Sequence, residues 1–245
     1  MKNKTLKQLV SIAFLIASGT ALADSAPSTG AANTTASNPS GPTTFDIKVT
    51  GQIIPGACTP NVGNSGVVQM NPNIKSLSPN AVTQTAVQSI PIRIDCGGTN
   101  TKIALSAQDA RAGSAYDSGW HTLFSDNTSS TWNFGLGSSG NNRQIGDFQF
   151  QLANFTADNI AVFPVVSTDN GVGWADHSSG NDAMRLDPSG KVWMSWASTS
   201  GGVPVAAKVF SGIVNVAAVI APASKLDTTQ AITLDGDAVV TIHYL

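Results

Sequence analysis

Apolar and polar residues alternate most regularly at the C-terminal end of this sequence. Ile232, Leu234, Ala238, Val240, Ile242 and Tyr244 occupy every second position, and only Gly236 breaks the apolar series. A period of two predicts a β-strand with one buried side. The pattern runs to Leu245. Such a strand closes a β-sandwich, or it lies at a sheet edge where another chain can add a strand.

The same period recurs upstream. Phe45, Ile47 and Val49 alternate with Asp46 and Lys48, which predicts a strand over 44–54. Pro55, Gly56, Ala57 and Cys58 then turn the chain. Gly66–Met70 reads as a short strand and Leu77–Gln88 as a polar loop. Ile90, Ile92 and Ile94 alternate up to Cys96, with Pro91 marking an edge or strand-start position. Ile103–Ala107, Phe148–Leu152, Val192–Ala197 and Phe210–Ile220 complete the strand candidates, and Ala221 and Pro222 stop the last of them. Short strands separated by turns predict an all-β, immunoglobulin-like β-sandwich. No internal repeat or composition shift divides 44–245, so that span is expected to form one domain.

Composition supports this fold class and adds a location. Gly, Ser, Thr, Asn and Val are abundant, and Glu is absent. Lys2, Lys4 and Lys7 precede an apolar core over Leu9–Ile16, and Ala21, Leu22 and Ala23 form a small-residue cleavage site. Residues 1–23 therefore read as a secretory signal peptide. Their apolar run falls far short of the ~20 residues of a membrane span. Residues 24–43 read as a flexible Ser/Thr/Ala/Pro linker. Without the signal, 10 basic residues face 15 Asp, a net charge near −5. With no basic cluster, this argues against nucleic acid as a partner. It also argues against adhesion to anionic lipid. No stable membrane insertion is expected after signal cleavage. In an exported chain, Cys58 and Cys96 are expected to form a disulfide.

The middle of the chain, about 108–200, is rich in Gly, Ser and Asn with embedded aromatics. Trp120, Trp132 and Trp174 are candidate ligand aromatics, because exposed indoles on loops can stack on a glycan. Core packing is the alternative reading for each. Gly135, Gly137 and Gly140 match GxGxxG, but no helical pattern follows to receive a pyrophosphate. His121, His177 and His243 include no i, i+4 pair. His177 sits between Asp176 and Ser178, and a solvated loop is expected there rather than a catalytic triad. Asp169, Asn170 and Gly171, with Asn181 and Asp182, lack the spacing of an EF-hand loop. No enzymatic activity, cofactor or metal is expected.

Several of these features together resemble subunits of chaperone–usher pili. They are the signal peptide, Cys58 just after Ile47–Ile54, Cys96 at a strand end, and a closing strand with Tyr244 in the penultimate position. More narrowly, Pro55–Pro60, Phe134–Gly137 and Leu234–Leu245 are similar to a proteobacterial secreted family of unknown function whose members are often described as fimbrial-like. The resemblance implies a sandwich lacking its last strand, which a periplasmic chaperone supplies first and a neighbouring pilus subunit replaces. Carried over, Ala238, Val240, Ile242 and Tyr244 would line the chaperone and donor-strand groove. Periplasm or cell surface is the implied location. A self-complete, lectin-like binding module that uses the Trp-rich loops is the alternative function.

Overall fold

A computed structural model describes residues 57–116, 132–179 and 184–245. The expected signal peptide, linker and 44–54 strand lie outside them, as do Trp120, His121, Asn181 and Asp182. The chain divides into two units, Met1–Gly51 and Gln52–Leu245, and all described residues belong to the second.

Among the described residues fourteen strands follow in order: β1 (Thr59–Val62), β2 (Thr83–Gln84), β3 (Gln88–Asp95), β4 (Ile103–Asp109), β5 (Phe134–Gly135), β6 (Ser138–Ser139), β7 (Arg143–Gln144), β8 (Gly146–Ala157), β9 (Ile160–Ala161), β10 (Phe163–Ser167), β11 (Ala175–Asp176), β12 (Trp193–Ala197), β13 (Val209–Ile220) and β14 (Ala238–Tyr244). One sheet runs β1-β3-β13-β8-β5, with β2 on β13 and β9 on β8. A second runs β11-β10-β12-β4-β14, and β6-β7 form a small ribbon. The ladders are antiparallel, and the expected all-β sandwich is the observed fold.

The core lies where the inner faces of the two sheets meet. Ile92 and Ile94 of β3 and Phe210 of β13 come from one side, and Leu105 of β4 with Met194 and Trp196 of β12 from the other. β3 shows how alternation builds this layer: Ile90, Ile92 and Ile94 are buried while their neighbours are exposed or half-buried. β8 departs from simple alternation. Phe150 and Leu152 enter the core on even positions, yet Phe155 and Ala157 enter on odd ones. Asn154, with φ 53°, explains the switch. Between Ser211 and Ile213 of β13 the pairing jumps from Thr156 to Ala153 on β8, so β8 carries one extra residue. That bulge turns Phe155 inward. Its ring lies over Gly212, where a Cβ would come within 2.3 Å of a ring carbon.

The structure corrects four expectations. Gly66–Met70 is not a strand, and the ladder of the closing strand begins at Ala238 rather than Ile232. Leu77–Gln88 is not simply a polar loop. β13 has 12 residues against 8 in β3, and Thr83 and Gln84 take up the backbone edge beyond β3 at Val219 and Ile220. Leu77 is buried there. His177 is buried rather than solvated, with Nε2 3.0 Å from the Arg185 carbonyl oxygen. Pro91, expected at an edge or a strand start, pairs with Ile213 on one side. It is tolerated where β3 is locally an edge, because β1 ends at Val62 opposite Ile92.

Cys58 and Cys96 form the expected disulfide. It joins the start of β1 to the end of β3, whose first register pair is Thr59 with Asp95.

Candidate functional site

The principal open site is an apolar groove of 1170 Å³ between β1 and β14. Each wall belongs to a different sheet, and each is the last strand of its sheet among the described residues. Pro60 and Val62 line the β1 side, and Ala238, Val240 and Ile242 line the β14 side. The floor is the sandwich core itself: Ile92 and Ile94, Leu105, Phe150 and Leu152, with Val214 and Val216 of β13.

β14 pairs along its whole length with β4, from Ala238 opposite Asp109 to Tyr244 opposite Ile103. Its other backbone edge has no strand partner among the described residues. The apolar face that the sequence marks for burial is incompletely covered. Ala238 and Ile242 are half-buried, while Val240 keeps 44% of its surface exposed. Side chains of this kind gain about 1.5–3 kcal/mol each on full burial, so an occupant of the groove has a hydrophobic driving force.

Tyr244 is not among the residues lining the groove. The Tyr244 Oη accepts the Cys58 backbone N–H at 2.7 Å, tying the end of β14 to the disulfide. The outer face of β14 is held separately. His243 Nε2 lies 2.8 Å from Ser106 Oγ, and its ring stacks on Trp193 at 3.8 Å. Partial burial there moves the imidazole pKa downward. At the other end, the Arg111 guanidinium grips the Asp235 carboxylate in two bonds of 2.8 and 2.9 Å. This pairing lowers the Asp235 pKa and raises that of Arg111. The Asp235 N–H donates to the Leu136 carbonyl at 3.0 Å.

The groove has little chemistry beyond its apolar surface. Asp237 is the one charged residue among those lining it. The described residues contain no group of three His, Cys, Asp or Glu side chains able to hold a metal. The Asp169 carboxylate accepts from the Ser167 hydroxyl and from the Val172 and Gly173 N–H groups, which lowers its pKa. The Gly135–Gly140 motif leads only into a single 3-10 turn, Gly140–Asn142. Among the described residues no helix is long and apolar enough to cross a membrane.

The candidate ligand aromatics have different neighbours. Trp132 is half-buried with its ring 6.3 Å from that of His177. Trp174 is half-buried, and its indole N–H donates to the Gly171 carbonyl at 3.1 Å. Trp196 is core, stacked on Phe155 at 4.1 Å. Sequence reasoning missed the polar side of β8. Asp147 and Gln149 alternate with Phe148 and Phe150 and look solvent-facing, yet both are fully buried. Gln149 Nε2 donates to Asn133 Oδ1 at 2.5 Å. No local pattern announces that burial.

Residues 47–149 match the model of a family described as a protein of unknown function (DUF1120). The match spans β1–β7 and the start of β8, and stops short of β14. No curated protein matches the chain. The comparisons thus place a domain of unknown function within residues 47–149.

Proposed function

We propose that this protein is an exported, fimbrial-like structural subunit that works by β-strand complementation with a periplasmic chaperone or a neighbouring subunit. One observation carries the reading: among the described residues β14 is paired on one side only, and its other edge borders a groove floored by the sandwich core. A strand laid along that edge makes main-chain hydrogen bonds to β14 and sends alternate side chains onto the apolar floor. The groove's nearly uncharged lining suits such side chains. Left open, the same surface invites aggregation, which gives a chaperone a physical role. The resemblance of the cysteine spacing and closing strand to pilus subunits points the same way, as does the signal peptide.

Val240→Asp tests the reading. Val240 is 44% exposed, so a carboxylate there can stay hydrated in the free subunit but must be desolvated under an added strand. Co-expression with a chaperone of the chaperone–usher class should give a complex with the parent chain and none with the variant. A variant that copurifies at parental yield would refute strand complementation at this edge.

A further inference from the structure

The connection between β10 and β11, residues 168–174, packs on the outer face of the second sheet. Gly171 lies against Trp193 of β12 and against Leu245, just past the end of β14. A Cβ on it would stand 3.2 Å from Leu245 Cδ2 and 3.3 Å from two carbons of the Trp193 ring. Its φ is +88°, and that of Asn170 is 60°. The turn thus calls for Asn, which tolerates the left-handed region, followed by Gly, which adopts it freely and adds no atom at the packed contact. This is the one Asn–Gly pair in the sequence. The pair carries a chemical hazard, because Asn is thermolabile and a following Gly leaves its own nitrogen unhindered. Once the Gly171 nitrogen loses its proton, it can attack Asn170 Cγ. The new C–N bond closes a succinimide ring, the Cγ–Nδ2 bond breaks, and Nδ2 leaves as ammonia with the proton. Water then opens the ring at either carbonyl. The product is aspartate, or isoaspartate with an extra carbon in the backbone.

Asn170 is exposed, so water reaches it, but the fold opposes the first step. The Gly171 N–H donates to Ser167 Oγ at 2.8 Å, and Ser167 is buried. The Ser167 hydroxyl is itself fixed, donating to Asp169 Oδ1 at 2.6 Å. The Gly171 carbonyl accepts the Trp174 indole N–H at 3.1 Å, so the residue is held at both its ends. To close the ring, the Gly171 nitrogen must first give up its bond to Ser167. We propose that Asn170–Gly171 is a site of spontaneous modification, deamidation through a succinimide, which Ser167 holds in check and which loosens the outer support of β14 once it occurs. An isoaspartyl link lengthens the backbone and displaces Gly171 from Trp193, the ring on which His243 of β14 stacks at 3.8 Å. Either product also adds a carboxylate beside Asp169. Asn170→Asp reproduces that charge on a backbone of the original length.

The test ages the mature chain in mildly alkaline buffer and follows residue 170 by peptide mapping, beside a synthetic peptide of residues 167–174. The folded chain should deamidate at least about tenfold more slowly than the peptide, since the site reacts only when the turn opens. The parent chain unfolded in urea should match the peptide. Ser167→Ala removes the acceptor for the Gly171 N–H and should deamidate several-fold faster than the parent. Asp169→Ala, at an exposed position, frees the Ser167 hydroxyl and should raise the rate as well. Equal rates in the folded chain and the peptide would overturn the proposal, and so would the absence of any rise in both variants. Aged chain enriched in isoaspartate should melt below Asn170→Asp, and identical melts would overturn the link to β14.

Discussion

Removing the Cys58–Cys96 bridge offers a quantitative test of how this sandwich is held together. The two cysteines are 38 residues apart in sequence. In the chain-entropy treatment, opening a loop of that length returns about 13 cal/mol/K to the unfolded chain, or about 4 kcal/mol at 25 °C. For a unit the size of Gln52–Leu245, each kcal/mol shifts the melting temperature by about 2–4 °C, so the expected loss is about 8–16 °C. Cys96 is fully buried and Cys58 nearly so, which means that Cys→Ala changes also remove sulfur packing. Calorimetric melts should therefore compare the oxidised chain, the reduced chain, and the C58A/C96A double variant. The reduced form isolates the loop term, and the double variant adds a small cavity cost. Tyr244→Phe, with the bridge intact, removes only the acceptor for the Cys58 N–H. It should cost about 1 kcal/mol. A reduced chain melting within about 3 °C of the oxidised one would refute the loop-entropy argument, because the unfolded ensemble would then already hold the two ends together.

Two further outcomes follow from the core and from the outer face of β14. Trp196→Ala, at a site 1% exposed and flanked by Phe155 and Phe210, should cost about 3–5 kcal/mol, read as a lower urea midpoint at unchanged slope. His243 has a depressed pKa in the fold, so its neutral form is favoured there; the associated stability is complete above the ordinary value of 6.5 and is lost as pH falls through the folded-state value. Melts from pH 7.5 to 5 should show that loss and His243→Gln should remove it; an identical pH profile in the variant would show that another group titrates.

The strands of this protein were largely legible in its sequence because a half-buried strand writes its own period. Ile90, Ile92 and Ile94, Phe148, Phe150 and Leu152, and the run Phe210–Ile220 all fall on the strands they predicted. The disulfide was legible too, because a chain with two cysteines has one intramolecular pairing to make. Periodicity says which side of a strand is apolar, but not what covers it. Only the tertiary structure showed that, among the described residues, β14 is the last strand of its sheet with Val240 still partly exposed. It also showed that Ile232–Asp237 and Gly66–Met70, strand-like in sequence, remain outside any ladder. The burial of Asp147 and Gln149 was equally invisible, since their alternation with Phe148 and Phe150 reads as a solvent-facing side. Sequence by itself determined the fold class, the strand faces and the covalent bridge, all of which depend on local pattern or composition. Which edges pair, which polar groups are enclosed and where a groove stays open depend on contacts between residues far apart in the chain, and those were decided when the sheets packed together.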